Sequence, residues 1–462
     1  MARLTRARTA LVAVAATAIL LGRGWGSWRR LHQEEALAVG GALTRAIWRN
    51  LDDQAYGTLL PRLVLEAAVL APLPHLPVVT FAAATAIWVV CVLVVARALE
   101  PVAGPGGAAL AALTLALVPL PDVAMQGNVW NVFWPVWVAL AVWVAAGARP
   151  DSRVGTGALG VGSLLVAASN PIAPVLALPY LRRVVRARSA RSSDGLALGG
   201  LALGTAFSLA CYLTQEPQTA YLGLWNPNTP QEHRLFAMID TAGATATRRV
   251  GGLDLGGLAQ RLPGTARYLV TQAMPAPWNA RLLEPGRERA FVLVGLAATV
   301  VVALAWWAGR APRVVARLAG LAALGVAAQY VLAADMRAPQ YLFVPVACGW
   351  ICAVLLAAGA ARGDRVAGAA SGSATARARL AVVRVLGVVP LLAVGALAMQ
   401  RSFRDARDPR VDRYPSTAAW AEGLARARAE CASASPDEVV VISQDETYWM
   451  DAPVFVRCRH LR

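Results

Sequence analysis

Two adjacent carboxylates, Asp52 and Asp53, stand just ahead of an apolar stretch that begins at Gly57. Paired acids in that setting can deprotonate an acceptor hydroxyl or hold a divalent cation against a phosphate. A plainer account is a solvated loop or a helix N-cap, a position Asp favours, with GTLLPR (57–62) opening the helix. A second group is Gln126-Gly127-Asn128-Val129-Trp130-Asn131-Val132-Phe133-Trp134. Asn128 and Asn131 are three apart and would share a helical face. Amides hydrogen-bond hydroxyls and an indole such as Trp130 stacks on an apolar ring face, which together suit a sugar. The competing account is an Asn cap and an interfacial belt of Trp.

A third feature is Asn170-Pro171, which interrupts the apolar run 155–181. Half-helix ends offer free backbone groups and a dipole to a ligand; the alternative is a packing kink. A fourth is a set of arginines in segments expected to face outward: Arg62, Arg248, Arg249, Arg267 and Arg337. A phosphate would need one or two of them, and Arg62 and Arg337 (in AADMRAPQ) are the candidates. Arg62 also lies four residues before Glu66, a spacing that predicts an ion pair on one helical face. Glu34 and Glu35, beside His32, read as a solvated face, and His233 as a solvated loop residue. No Walker motif, HExxH or GxSxG in context is present, so ATP-driven transport and soluble-type hydrolysis gain no support. No metal-ligand set and no cofactor are assigned with certainty, a divalent cation at the Asp pair being the one candidate.

The elements that must position these residues are membrane helices. Of 462 residues, 57% are hydrophobic and only 15% charged, with mean hydropathy +0.50; soluble domains carry about a quarter charged residues. A bilayer crossing takes about 20 apolar residues. Such runs occur at 9–22, 78–97, 106–120, 129–147, 155–181, 195–213, 290–308, 314–333, 339–360 and 379–399. The run 57–72 is short and amphipathic, and suits a helix lying in the interface. The net charge of +17 comes entirely from arginine. Its clusters fall in short loops, where they set orientation, so nucleic acid is not an expected partner. The Ala, Gly and Arg excess matches a GC-rich, actinobacteria-like genome.

Placing every short Arg cluster on the inner face requires 57–72 to lie in the interface and 155–181 to be two half-helices broken at Asn170-Pro171. The expectation is an all-α polytopic membrane protein with about eleven membrane helices. Its N-terminus would be cytoplasmic, its first helix uncleaved and its C-terminus extracytoplasmic, in the plasma membrane. The membrane domain would cover 1–399, with external segments at 23–77 and 214–289. A small α+β tail would cover 400–462, with a helix at 420–431 and strands at 437–443 and 453–458. Cys431 and Cys458 in that tail predict a disulfide, because the outer side is oxidising. Cys91, Cys211, Cys348 and Cys352 lie in apolar runs and read as small buried hydrophobes.

An acid in the first external loop, an interfacial helix, a second polar loop, two broken half-helices and a large later loop together resemble the GT-C class of membrane glycosyltransferases. More narrowly, D-x-x-Y-G-T-L-L-P-R (53–62), GNVWNVFW (127–134) and N-P-x-x-P-x-x-A-L-P-Y-L (170–181) are similar to a group of largely uncharacterised bacterial membrane proteins. The resemblance implies sugar transfer from a polyprenyl-phosphate carrier to a glycan, lipid or protein acceptor. It carries the catalytic acid to Asp53, or to Asp52. The class often has a second acid in the second external loop, where this chain has Asn128 and Asn131; an amide cannot serve as base or bind a cation as a carboxylate does. Rival readings are a flippase or transporter, an envelope polysaccharide ligase or polymerase, and a non-catalytic scaffold.

Overall fold

The structure, a computed structural model, describes residues 6–24, 27–29, 31, 35, 39, 43, 58–118, 127–187, 192–213, 313–332, 343–367, 419–443 and 454–462. Asp52, Asp53, His233, Arg248, Arg249, Arg267 and Arg337 lie outside the described residues, as do the expected helices at 290–308 and 379–399.

The fold is helical and built for a membrane. Helix α1 (Arg6–Arg23) leads to a short, separate helix α2 (Leu59–Ala68). Ten residues rise roughly 15 Å, half of a bilayer core of about 30 Å, so α2 cannot cross one alone. The next element, α3 (Leu76–Leu117), is 42 residues long, about twice what one crossing needs. It is two helices joined at Gly104, whose φ of 70° and ψ of 170° leave the helical region, with Pro101 and Pro105 on either side. That break falls between the two spans expected at 78–97 and 106–120. Then come α4 (Phe133–Ala146), α5 (Arg153–Ala167), α6 (Ala177–Ala187), α7 (Ser193–Leu213), α8 (Arg313–Leu332) and α9 (Phe343–Ala367). Among the described residues, three stretches are long and apolar enough to cross a membrane: Leu73–Leu117, Val129–Ala146 and Ser193–Cys211.

The run 155–181 is broken where the sequence says. Helix α5 ends at Ala167. The Asn170 Oδ1 accepts from the Ile172 N–H at 3.0 Å, a local turn that Asn favours, and a 3-10 turn (Ala173–Leu176) leads into α6. Helices α5 and α7 cross almost backbone to backbone. A Cβ at Gly200 would sit 2.3 Å from the Gly160 carbonyl oxygen, and one at Gly204 would sit 2.3 Å from that of Leu164. Glycines four apart on one face are what permit that approach in a membrane helix pair.

Apolar faces of α1, α3, α4, α5, α7, α8 and α9 form one continuous core with Trp88, Trp137 and Phe343 inside it. The four cysteines outside the disulfide are buried, as expected. At the C-terminal end of α4, Gly147 (φ 72°) turns the chain. There Arg183 Nη2 donates to the Val144 carbonyl and Arg317 Nη1 to that of Ala145 at 3.2 Å. Arg183 thus adds a second donor to the Val144 carbonyl, which also accepts from the Gly147 N–H, and Arg317 takes up that of Ala145 at the helix end.

In the tail, helix α10 (Ala419–Cys431) packs on an antiparallel hairpin of β1 (Val439–Ile442) and β2 (Val454–Arg457). Val439 pairs with Arg457 and Ile442 with Val454. The expected Cys431–Cys458 disulfide is present and ties the end of α10 to the residue after β2.

Candidate functional site

The described candidates converge on α2. Its first-turn N–H groups, orphaned in any helix, are taken up by the segment that follows α5. Leu59 N–H donates to the Ala168 carbonyl at 3.3 Å, and Leu60 N–H to Ser169 Oγ at 2.7 Å. Ser169 and Asn170 are fully buried. The half-helix break is therefore the socket in which α2 starts.

Arg62 stands in the first turn of α2 and is 3% exposed. Its Nε donates to Thr58 Oγ1 at 3.0 Å, and its guanidinium carbon lies 5.5 Å from the ring centroid of Trp130. Its Nη2 is buried and has no hydrogen-bond partner among the described residues. The expected pairing with Glu66 is not formed. Thr58 and Glu66 are each four residues away, but long helical side chains lean toward the N-terminus, which carries the guanidinium over Thr58. A buried charge without a counter-ion costs several kcal/mol. Stacking on an indole returns about 0.5–2 kcal/mol and one hydrogen bond about 1 kcal/mol, so the guanidinium is left under-compensated.

Asn170 shows the same shortfall. Its Oδ1 is used by Ile172 N–H, while its Nδ2 is buried and has no partner among the described residues. Two donor groups, one charged, thus remain unsatisfied on the two elements that meet at the start of α2. Donors without acceptors suit an anionic, oxygen-rich ligand.

The second polar loop supplies the wall. Asn128 Oδ1 accepts from Trp130 N–H at 2.7 Å, and Asn131 N–H donates to the Asn128 carbonyl at 3.3 Å. Asn128 therefore caps the turn Val129–Asn131, and the capping account applies to its carbonyl oxygen. Asn131 is buried in the same turn. Gly127 is required there: a Cβ would meet Ser27 Cβ at 2.7 Å and the Phe81 ring at 2.9 Å. Glu35 overturns its sequence reading. It is fully buried, not solvated, and its carboxylate accepts from Val129 N–H. A helical polar stretch looks the same whether it faces water or a second loop, so spacing could not reveal this.

The structure brings together Arg62, Trp130, Asn128, Asn131 and Asn170, and adds Thr58, Ser169 and Glu35. Of the added residues, Thr58 and Ser169 had a sequence signal, since both are capping residue types placed at a helix start and at the Asn-Pro break. Among the described residues, no three His, Cys, Asp or Glu side chains are grouped to hold a metal ion.

No protein-family description matches the chain, and no curated protein matches it. Among solved structures it is similar to the archaeal oligosaccharyltransferase AglB from Archaeoglobus fulgidus, in complex with an inhibitory peptide and a dolichol-phosphate, with 13% identity and a TM-score of 0.44. The alignment covers 93% of this chain and 58% of AglB, so the chain spans little more than half the length of that structure.

Proposed function

We propose that this helical membrane protein is a GT-C-type glycosyltransferase acting on the outer face of the plasma membrane. It moves a sugar from a polyprenyl-phosphate carrier to an envelope acceptor: a glycan, a lipid or a protein. The observation that carries the reading is Arg62, a buried guanidinium stacked on Trp130, with an N–H that has no acceptor and no paired carboxylate among the described residues. A carrier phosphate supplies the counter-charge, and Asn170 Nδ2, on the segment where α2 starts, is a second unpaired donor.

In the reaction the acceptor hydroxyl oxygen bonds to the anomeric carbon as the carbon–oxygen bond to the phosphate breaks. Asp53, or Asp52, takes the hydroxyl proton, and the electron pair leaves on the phosphate. Arg62 stabilises the charge gathering there, with Arg337 as a second phosphate ligand. Trp130 and Asn131 face the sugar. If a divalent cation binds, Asp52 and Asp53 would hold it, and it would supply charge neutralisation for the phosphate. The Cys431–Cys458 bridge supports an extracytoplasmic tail, and with it a cytoplasmic N-terminus.

The test is complementation of a gene deletion in the native host with wild type, Arg62→Met, Asp52→Asn and Asp53→Asn, each checked for membrane abundance. Envelope glycans and polyprenyl-linked sugars are then read by mass spectrometry. Loss of one glycan with accumulation of one carrier-linked sugar, restored by wild type and not by Arg62→Met, supports the reading and names the sugar. Restoration by every variant removes it and moves a transporter or a scaffold to the front. A glycan that shortens instead of vanishing points to a polymerase or ligase.

A further inference from the structure

The C-terminal tail lies 347 residues from the segment it holds. Trp420, at the start of α10, donates its indole N–H to the Leu73 carbonyl at 2.9 Å. Leu73 opens a 3-10 turn (Leu73–His75) between α2 and α3. Trp420 is itself buried. Apolar side chains of α10 and of both strands form one core with Leu65 and Ala68 of α2 and with Trp130. The helix that carries Arg62 is thus fixed at its start by Ala168 and Ser169 and beyond its end by the tail. A ten-residue helix has little stability of its own, so its place depends on those attachments. The disulfide closes the tail that provides one of them.

We infer that Trp420 is a positioning residue for the Arg62 site. The disulfide-closed tail holds the far side of α2 through Leu73 and so aims the guanidinium across Trp130. The functional half of this inference rests on reading Arg62 as an anion ligand; the structural half does not. Reduction of Cys431–Cys458 then loosens α2 and weakens ligand capture without touching a residue that contacts ligand.

The experiment uses the full chain in lipid nanodiscs. Amide hydrogen exchange is followed over 59–75, and binding of farnesyl phosphate, a soluble prenyl phosphate, is measured by calorimetry. Trp420→Phe keeps a ring and removes the donor. It is expected to speed exchange over 59–75 about fivefold, the worth of one hydrogen bond, to leave 153–213 unchanged, and to weaken farnesyl phosphate by a similar factor. Cys431→Ser with Cys458→Ser, or wild type treated with a phosphine reductant, gives the same pattern with a larger amplitude, and the reductant needs no substitution. Exchange confined to 419–443 and 454–462, with 59–75 as in wild type, overturns the inference. If 59–75 responds but wild type binds no farnesyl phosphate, Trp420 still positions α2 and the reading of Arg62 as a phosphate ligand fails instead.

Discussion

Arg62 and Arg183 occupy opposite ends of the helical bundle and look alike at first. Each is packed over an aromatic ring, Trp130 at 5.5 Å for Arg62 and Tyr180 at 6.0 Å for Arg183. Their partners differ. Arg183 pairs with Asp194 at 3.3 Å and caps the Val144 carbonyl. Arg62 has one hydroxyl, from Thr58, and an unused N–H. The first is a closed structural network; the second keeps an N–H that no described residue takes up. Burial and stacking do not tell these two arginines apart, whereas the partner inventory does.

The largest effect expected from this contrast is on stability at the closed end. Arg183→Met leaves Asp194 buried and unpaired, which costs about 3–5 kcal/mol, read as a fall in thermal midpoint in detergent. Next, Arg62→Met leaves the midpoint unchanged or higher, because an uncompensated charge is removed, yet weakens farnesyl phosphate about 100-fold, roughly 2.7 kcal/mol. If Arg62→Met destabilises as much as Arg183→Met, the two arginines are alike and the contrast fails. Smaller still, Ser169→Ala removes the acceptor of Leu60 N–H and costs about 1 kcal/mol, seen as faster exchange at the start of α2.

The smallest effect sharpens the contrast with exposed charge. In the tail, Arg457 and Arg459 both reach Asp437 at 3.4 Å in the open, where such pairs contribute little. Burial, and then the positive charges of Arg459 and Arg457, push the His460 imidazole below its usual 6.5. The unfolded tail therefore takes up the proton first as pH falls. Tail stability should be full well above pH 6.5 and decline slightly toward pH 5.5, and His460→Gln should flatten that part of the profile.

Much of the architecture was legible because it rests on local chemistry. Apolar run length marked the described spans, the gap between the runs 78–97 and 106–120 marked the break in α3, and Asn170-Pro171 marked the half-helices. Two cysteines in a polar tail marked their own bridge. The site was legible only as a scatter of candidate residues. That Arg62 meets Trp130 and that α2 starts on Ser169 follow from how separate segments pack, which no spacing rule reports. Where local spacing did suggest a partner, the Arg62–Glu66 interval, side-chain direction sent the guanidinium the other way. Glu35 was misread for the converse reason: its partner is a backbone amide 94 residues on.

The arginines that close the end of α4 carry a consequence for biogenesis. Arg183 and Arg317 are synthesised after α4, on α6 and α8. A guanidinium costs roughly 2.5–3.5 kcal/mol to drive to the middle of a nascent membrane segment. While the chain is entering the bilayer, these charges therefore resist translocation and hold their own ends of α6 and α8 in water. Only afterwards do they find the Val144 and Ala145 carbonyls. The same two residues first steer insertion and later serve as caps, so replacing either with a neutral side chain should raise the fraction of wrongly threaded chains as well as fray a finished helix.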